Sequence, residues 1–209
     1  PGFIIRPKRL DDGASKALQD LSEQLASQRL ARLQKEAARH YDGPVRIRNV
    51  RIFDPVTKAM TDRRDVVFSG NRISEIVPTG SVATTGETEI DGAGGSLIPG
   101  LYEMHGHLRQ EDALMNVLAG VTSVRDMGNN NGVLDQLIKR IATGEIAGPR
   151  VTRSGFIEGK SNFSSATGRL ANSEQEAIDH VRWYAARGYV QAKLYNSMKP
   201  EWAPAVIGE

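Results

Sequence analysis

The chain has 209 residues, 39% of them hydrophobic and 25% charged, an ordinary globular balance that excludes a disordered or fibrous protein. Its 27 basic and 25 acidic residues nearly cancel, so no strong field recruits nucleic acid or an anionic membrane, and neither partner is expected. There is no cysteine, which excludes disulfides and thiolate metal sites and leaves the compartment unknown, and no apolar run approaches the roughly 18 residues of a membrane span.

The first segment, 1–42, opens with Phe3-Ile4-Ile5 and continues as a polar stretch carrying Leu18, Leu21, Leu25, Leu30 and Leu33. A helix is predicted from about Ala14 to Ala38. The steps from 18 to 21 to 25 fit one helix face, but the longer step to Leu30 makes the stripe drift, which argues against a coiled coil. The interleaved charges from Lys16 to Glu36 read as a solvated face, and no chemistry is assigned here.

Asp42-Gly43-Pro44 breaks the helical period, and 43–97 reads as a small β-structure. Val45 and Ile47, then Val50 and Ile52, alternate with Arg46, Arg48 and Arg51, and the phase shift at Asn49 predicts a bulge. Ser69-Gly70-Asn71 joins two strands as a hairpin. The arginines lack an aromatic platform, so they are expected to form a solvated face and not a nucleic-acid surface.

From Ile98 onward, 98–209 alternates strand and helix, the pattern of a parallel sheet with crossover helices. Four strands are predicted: Leu97 to Leu108, Val121 to Asp126, Val151 to Phe156 and Val190 to Tyr195. Helices are predicted at about Asp112 to Leu118, at Gly132 to Ile141 with Asn131 as N-cap, and from a Ser173/Glu176 capping box to Arg187. Pro200 opens one more.

The first of these strands carries the chemistry. It reads Leu97-Ile98-Pro99-Gly100-Leu101-Tyr102-Glu103-Met104-His105-Gly106-His107-Leu108. Side chains on a strand repeat direction every second residue, so His105 and His107 share a face about 7 Å apart, a spacing suited to metal chelation. Taken alone a His-x-His triplet is weak, since two polar residues alternating at a strand end look the same. On the fourth strand Val190, Ala192 and Leu194 form the apolar side that packs on helices, which turns Gln191, Lys193 and Tyr195 inward. A bare ammonium facing inward must be paired, deprotonated or chemically changed, unless it snorkels out at the strand end.

The histidine strand resembles the first barrel strand of the amidohydrolase superfamily, whose hallmark is Pro-Gly, a few apolar residues, an acidic residue and then His-x-His. Glu103 stands where the family more often has Asp. The resemblance covers about Val45 to Ile207 and implies an α/β fold: strands 1 to 4 of a (β/α)8 TIM-type barrel, preceded by a small β-sandwich portion and the N-terminal helical segment. It also implies that Lys193, at the end of the fourth strand, is carboxylated by CO2 and bridges metal ions. Three units of a barrel of about 250 residues would take about 94 residues, close to the separation of His107 and Lys193.

The function implied is a metal-dependent hydrolase of amide or peptide-like C–N bonds. His105, His107 and Lys193 would hold one or two divalent ions, expected to be zinc, and Tyr195 would line the pocket for a small amide or peptide substrate. Gly120-Val121-Thr122-Ser123-Val124-Arg125-Asp126 resembles the prolidase-like and dipeptidase-like branch, with imidazolonepropionase-like cyclic-amide hydrolysis as a competitor. A non-catalytic structural or assembly piece that keeps the fold is the alternative from another class. Ile98–Glu209 is less than half the length of a full barrel. The chain is therefore expected to be the N-terminal part of the enzyme. The remaining half of the barrel, from the same or another chain, would bring two further histidines and the general-base aspartate, and open strand edges invite a homo-oligomer.

Weaker candidates complete the reading. Asp126 is expected to form a structural salt bridge with Arg125 and a turn, the long stretch Glu158 to Gly168 to contact substrate or to be a surface loop, and His40 and His180 to be surface histidines.

Overall fold

A computed structural model of the chain describes residues 11–165 and 167–209; Phe3-Ile4-Ile5 lie outside them. The protein is mixed α/β and divides into two compact units, Ala38–Gly100 and a larger one that joins the first helix to Leu101–Glu209. Among the described residues no helix is long and apolar enough to cross a membrane.

The first helix, α1 (Asp12–Ala37), is within two residues of its predicted span and has no buried residue. Its C-terminal half is tied to the larger unit by side-chain hydrogen bonds from Gln110 to Ser27 (2.6 Å) and from the Ala147 amide to Gln34 (2.7 Å).

The smaller unit is one sheet of β1 (Val45–Asp54), β2 (Ala59–Ser69), β3 (Arg72–Pro78), β4 (Thr88–Asp91) and β5 (Ser96–Leu97). The order is β3-β2-β1-β4, with β5 also on β1; the two hairpin pairs are antiparallel, and β4 and β5 run parallel to β1. The predicted bulge is present. Pairing slips from Ile47↔Val66 to Val50↔Arg64, and Asn49 between them sits at φ 58° with its amide donating to Asp65 (3.0 Å). Two of the three arginines are a correction, Arg51 being exposed as expected. Arg46 is 2% exposed and forks onto Glu87 (2.6 and 3.1 Å), while Arg48 reaches Asp65 (2.8 Å) and Glu89 (2.5 Å). Alternation told which way each arginine points, not that β4, distant in sequence, would bring carboxylates over that side.

In the larger unit β6 (Leu101–Gly106), α2 (Gln110–Leu118), β7 (Val121–Asp126), α3 (Asn131–Ala142), β8 (Arg150–Gly159), β9 (Arg169–Ala171), α4 (Glu174–Ala185), β10 (Gln191–Leu194) and α5 (Ala203–Gly208) follow one another. Every strand pair is parallel, in the order β6-β7-β8-β10 with β9 alongside β8. Helices α2, α3 and α4 fill the connections from β6 to β7, β7 to β8 and β9 to β10, as parallel strands usually require, and the stretch 160–168 joins β8 to β9 with no helix among its described residues. Their starts follow capping chemistry: Asn130 accepts from the Val133 amide for α3, and Ser173 accepts from the Glu176 amide for α4 (both 3.2 Å). The α3 cap is Asn130 and not Asn131, whose amide instead meets the Tyr184 hydroxyl. The capping box of α4 is half formed, because the Glu176 carboxylate takes the Asn172 amide (2.7 Å). That helix ends at Ala185, two residues early, and Gly188 follows at φ 73°.

Two further expectations are corrected. Leu97 to Leu108 is not one strand: Ser96–Leu97 pairs with β1 in the other unit, and β6 begins after Pro99, which has no amide for a ladder. Val190 precedes β10 and is 72% exposed, so of the three apolar residues assigned to the helix side only Leu194 packs against the core. That core lies on the helix side of the sheet. Leu108, Ala113, Val124, Leu134 and Leu137 form one cluster under α2 and α3, and Ile157, Ala177, Tyr184 and Tyr189 form another under α4.

Candidate functional site

On β8 the side-chain alternation is decisive. Ile157 belongs to the helix-side cluster, and a methyl group on Gly155 would strike the Tyr184 ring, so Phe156 faces the opposite side. Lys193 on β10 pairs with Phe156 and lies over its ring (5.5 Å from Nζ to the centroid) and over that of Tyr195 (4.8 Å). The lysine is half-buried, so its charge is shielded by two aromatic faces without being sealed from water.

Lys193 also reaches across the sheet. Its Nζ is 3.4 Å from Nε2 of His105 on β6, although two strands separate β6 from β10. In a flat sheet those strands would lie roughly 14 Å apart, with side chains standing perpendicular and never meeting. The sheet therefore curls, and His105 and Lys193 converge in its concavity.

His107 lies one residue beyond β6, its ring 5.5 Å from that of His105. Its Nδ1 is 2.6 Å from the Gly128 carbonyl oxygen. A carbonyl only accepts, so Nδ1 carries a proton, and the neutral tautomer that this contact selects has its lone pair on Nε2. Glu103 turns back to accept from the His105 amide (2.7 Å).

The residue that sequence reasoning set aside is central here. Asp126 makes no ion pair with Arg125, whose Nε donates to the Met104 carbonyl (2.7 Å). It is fully buried and accepts from the Leu108 amide (2.7 Å), the Gly128 amide (3.0 Å) and the Asn129 side chain (2.9 Å). Asp-x-Gly-Asn directly after a strand was the available signal, because those residues build turns.

An open cavity of about 460 Å³ is lined by His107, Asn129, Phe156, Ser165, Lys193 and Tyr195 among others, within the size range of small-molecule sites. Ser165 and Thr167 bring the Glu158–Gly168 stretch to its wall; Ala166 lies outside the described residues. Buried Glu158 holds that stretch by accepting from the Ser165 amide (2.6 Å). His40 is exposed and in the other unit. His180 is a correction: it is half-buried, accepting from Arg169 at Nδ1 (3.0 Å) and donating from Nε2 to the Leu170 carbonyl (2.9 Å), because β9 folds over α4.

No family model and no curated protein matches the chain. Solved structures do. A candidate prolidase from Bifidobacterium longum aligns with 77% of this chain and 42% of its own, at 22% identity and TM-score 0.65. A Xaa-Pro dipeptidase with methionine bound in its active site aligns over 79% and 53%, at 20% identity and TM-score 0.60. A bottromycin amidohydrolase aligns over 97% and 40%, at 16% identity and TM-score 0.62. The chain shares its fold with these three proteins. It spans between 40% and 53% of the length of the three.

Two imidazoles and the Lys193 amine lie close together, one imidazole with its Nδ1 hydrogen-bonded so that Nε2 is left free, and imidazole nitrogens of this kind suit a zinc ion. Among the described residues no group of three His, Cys, Asp or Glu that could hold a metal ion comes together.

Proposed function

We propose that the chain forms strands one to four of a (β/α)8 barrel in a metal-dependent hydrolase of amide or peptide-like C–N bonds. The observation that carries the proposal is the 3.4 Å approach of Lys193 to His105 across four curled strands, beside a His107 whose free nitrogen is preset. His105, His107 and Lys193 would hold one or two zinc ions. Lys193 would do so as a carbamate, formed when its neutral amine attacks CO2 and gives up a proton. A zinc ion bound there supplies Lewis acidity, polarising the scissile carbonyl and acidifying water.

The chain's own groups have separate roles. Phe156 and Tyr195 flank Lys193 and shield its end on two sides, while the polar edge formed by Ser165 and Thr167 offers hydrogen bonds to a substrate amide. Tyr195 would position the substrate. The strands that close the barrel would complete the metal shell and supply the aspartate that takes the proton. A small amide or peptide substrate is supported by the dipeptidase and amidohydrolase among the structural neighbours.

The test joins elemental analysis, intact mass and turnover of the complete protein on a panel of dipeptides and cyclic amides. Bound zinc, the mass of one added carboxyl group on Lys193 and hydrolysis of a panel member support the proposal. A protein that takes up no zinc and carries an unmodified Lys193 overturns it, and zinc uptake without turnover favours a non-catalytic role for the fold.

A further inference from the structure

We infer that the turn Asp126-Met127-Gly128-Asn129 is a positioning device that sets the direction and tautomer of the His107 ring, with Asp126 as its anchor. The inference takes from the proposed function only that His107 binds metal. The geometry is independent of it. β6 and β7 run side by side, Gly106 opposite Asp126, and the Met127 amide donates to the Gly106 carbonyl (2.8 Å), so the two strand ends leave the sheet together.

Asp126 then ties them at both sides of His107. One oxygen accepts from the amide of Leu108, the residue after the histidine, and the other accepts from the amide of Gly128, whose carbonyl takes the His107 proton. Asn129 completes the clasp by donating from its amide nitrogen to both the Asp126 carboxylate and the Leu108 carbonyl (2.7 Å). Neither end of the His107–Gly128 hydrogen bond can shift without breaking a bond to Asp126.

Gly128 is required by geometry. It adopts φ 133°, a conformation strained for any L side chain, and a methyl group there would lie 2.5 Å from the Phe156 ring. Glycine alone lets the carbonyl face the histidine while Phe156 keeps its place in the cavity wall. Burying a carboxylate fully is expensive, and it is tolerated here because three N–H groups converge on it. A surface turn needs no such group. A histidine that must offer one chosen nitrogen does, since a free neutral ring samples both tautomers and partners of metal-ligating histidines select one.

The experiment uses the full chain free of zinc, with its four histidines 15N-labelled, and reads the protonation of the two His107 ring nitrogens by NMR. Zinc affinity is measured in parallel by competition with a chelating dye. The wild-type ring is expected to be protonated at Nδ1. Asp126→Asn leaves one acceptor oxygen for three donors, and Asn129→Ala opens the clasp without disturbing the buried carboxylate's other bonds. Both should yield a mixture of tautomers and a zinc Kd raised about 10- to 100-fold. Asn129→Ala, checked for an unchanged Tm, carries the test if Asp126→Asn fails to fold. A wild-type ring protonated at Nε2, or an Asn129→Ala ring that keeps the wild-type tautomer, overturns the inference. A wild-type ring protonated at Nδ1 that the variants disturb, in a complete protein that takes up no zinc, leaves the device standing and removes the metal reading.

Discussion

Gly155 tests the alternation on which the cavity wall depends. A methyl group added there would lie 2.5 Å from the Tyr184 ring, whereas carbons in good contact sit about 3.5–4.0 Å apart, so the ring must retreat by roughly 1 Å. Tyr184 is 1% exposed and held by its hydroxyl on the Phe156 carbonyl (3.0 Å), by an edge-on Trp183 (5.1 Å) and by Tyr189 (4.7 Å). Overpacking of this kind costs about 1–3 kcal/mol. Replacing glycine by alanine at an unstrained site would instead stabilise by about 0.4–1 kcal/mol through the unfolded chain. The steric cost wins, and Gly155→Ala is expected to lose about 1–2 kcal/mol, a roughly 5- to 30-fold fall in the folded-to-unfolded ratio. Gly132→Ala on α3 is the control: its methyl group would sit an ordinary 3.7 Å from the Asn130 side chain, and a gain of about 0.5–1 kcal/mol is expected. Urea unfolding followed by tryptophan fluorescence reads both, because Trp183 and Trp202 border the same core cluster. A Gly155→Ala protein as stable as wild type would refute the placement of Gly155 toward α4, and with it that of Phe156 toward the cavity.

Lys193→Ala should weaken zinc binding by at least about tenfold, with partial recovery on adding a short carboxylic acid; unchanged affinity would remove the lysine from the site. Tyr184→Phe deletes the hydroxyl that donates to the Phe156 carbonyl in a buried setting and should cost about 1–2 kcal/mol by the same fluorescence assay. In the smaller unit, a hydrogen bond from Arg46 holds the Glu87 carboxyl below its usual range, and one from Arg48 does the same for Glu89. Groups with lowered values stabilise the fold above the unfolded carboxylate pKa of about 4.3 and lose that contribution as pH falls through the folded values. Hydrogen exchange of the β1 amides should therefore stay slow at pH 5 and show falling protection below about pH 4, whereas Glu87→Gln should flatten that dependence. Protection that rises on acidification would contradict the ion-pair account.

The sequence by itself determined the first helix, the bulge at Asn49, the hairpin at Gly70 and the βα alternation after Leu101, though not β4, β5 or β9, because local propensity, turn chemistry and side-chain period are properties of neighbouring residues. It also singled out His105, His107 and Lys193, since paired histidines on a strand and an inward lysine are conspicuous against apolar neighbours. What it could not determine was anything set by contacts between distant segments. Arg46 and Arg48 look solvated until β4 lies beside β1 with Glu87 and Glu89, and Val190 looks buried until β10 is seen to begin one residue later. Asp126 looks like half of a local salt bridge until β6 and β7 bring the Leu108 amide and the Gly128 turn around it. The meeting of His105 and Lys193 depends on how far four strands curl together, a sum of twists that no single strand encodes.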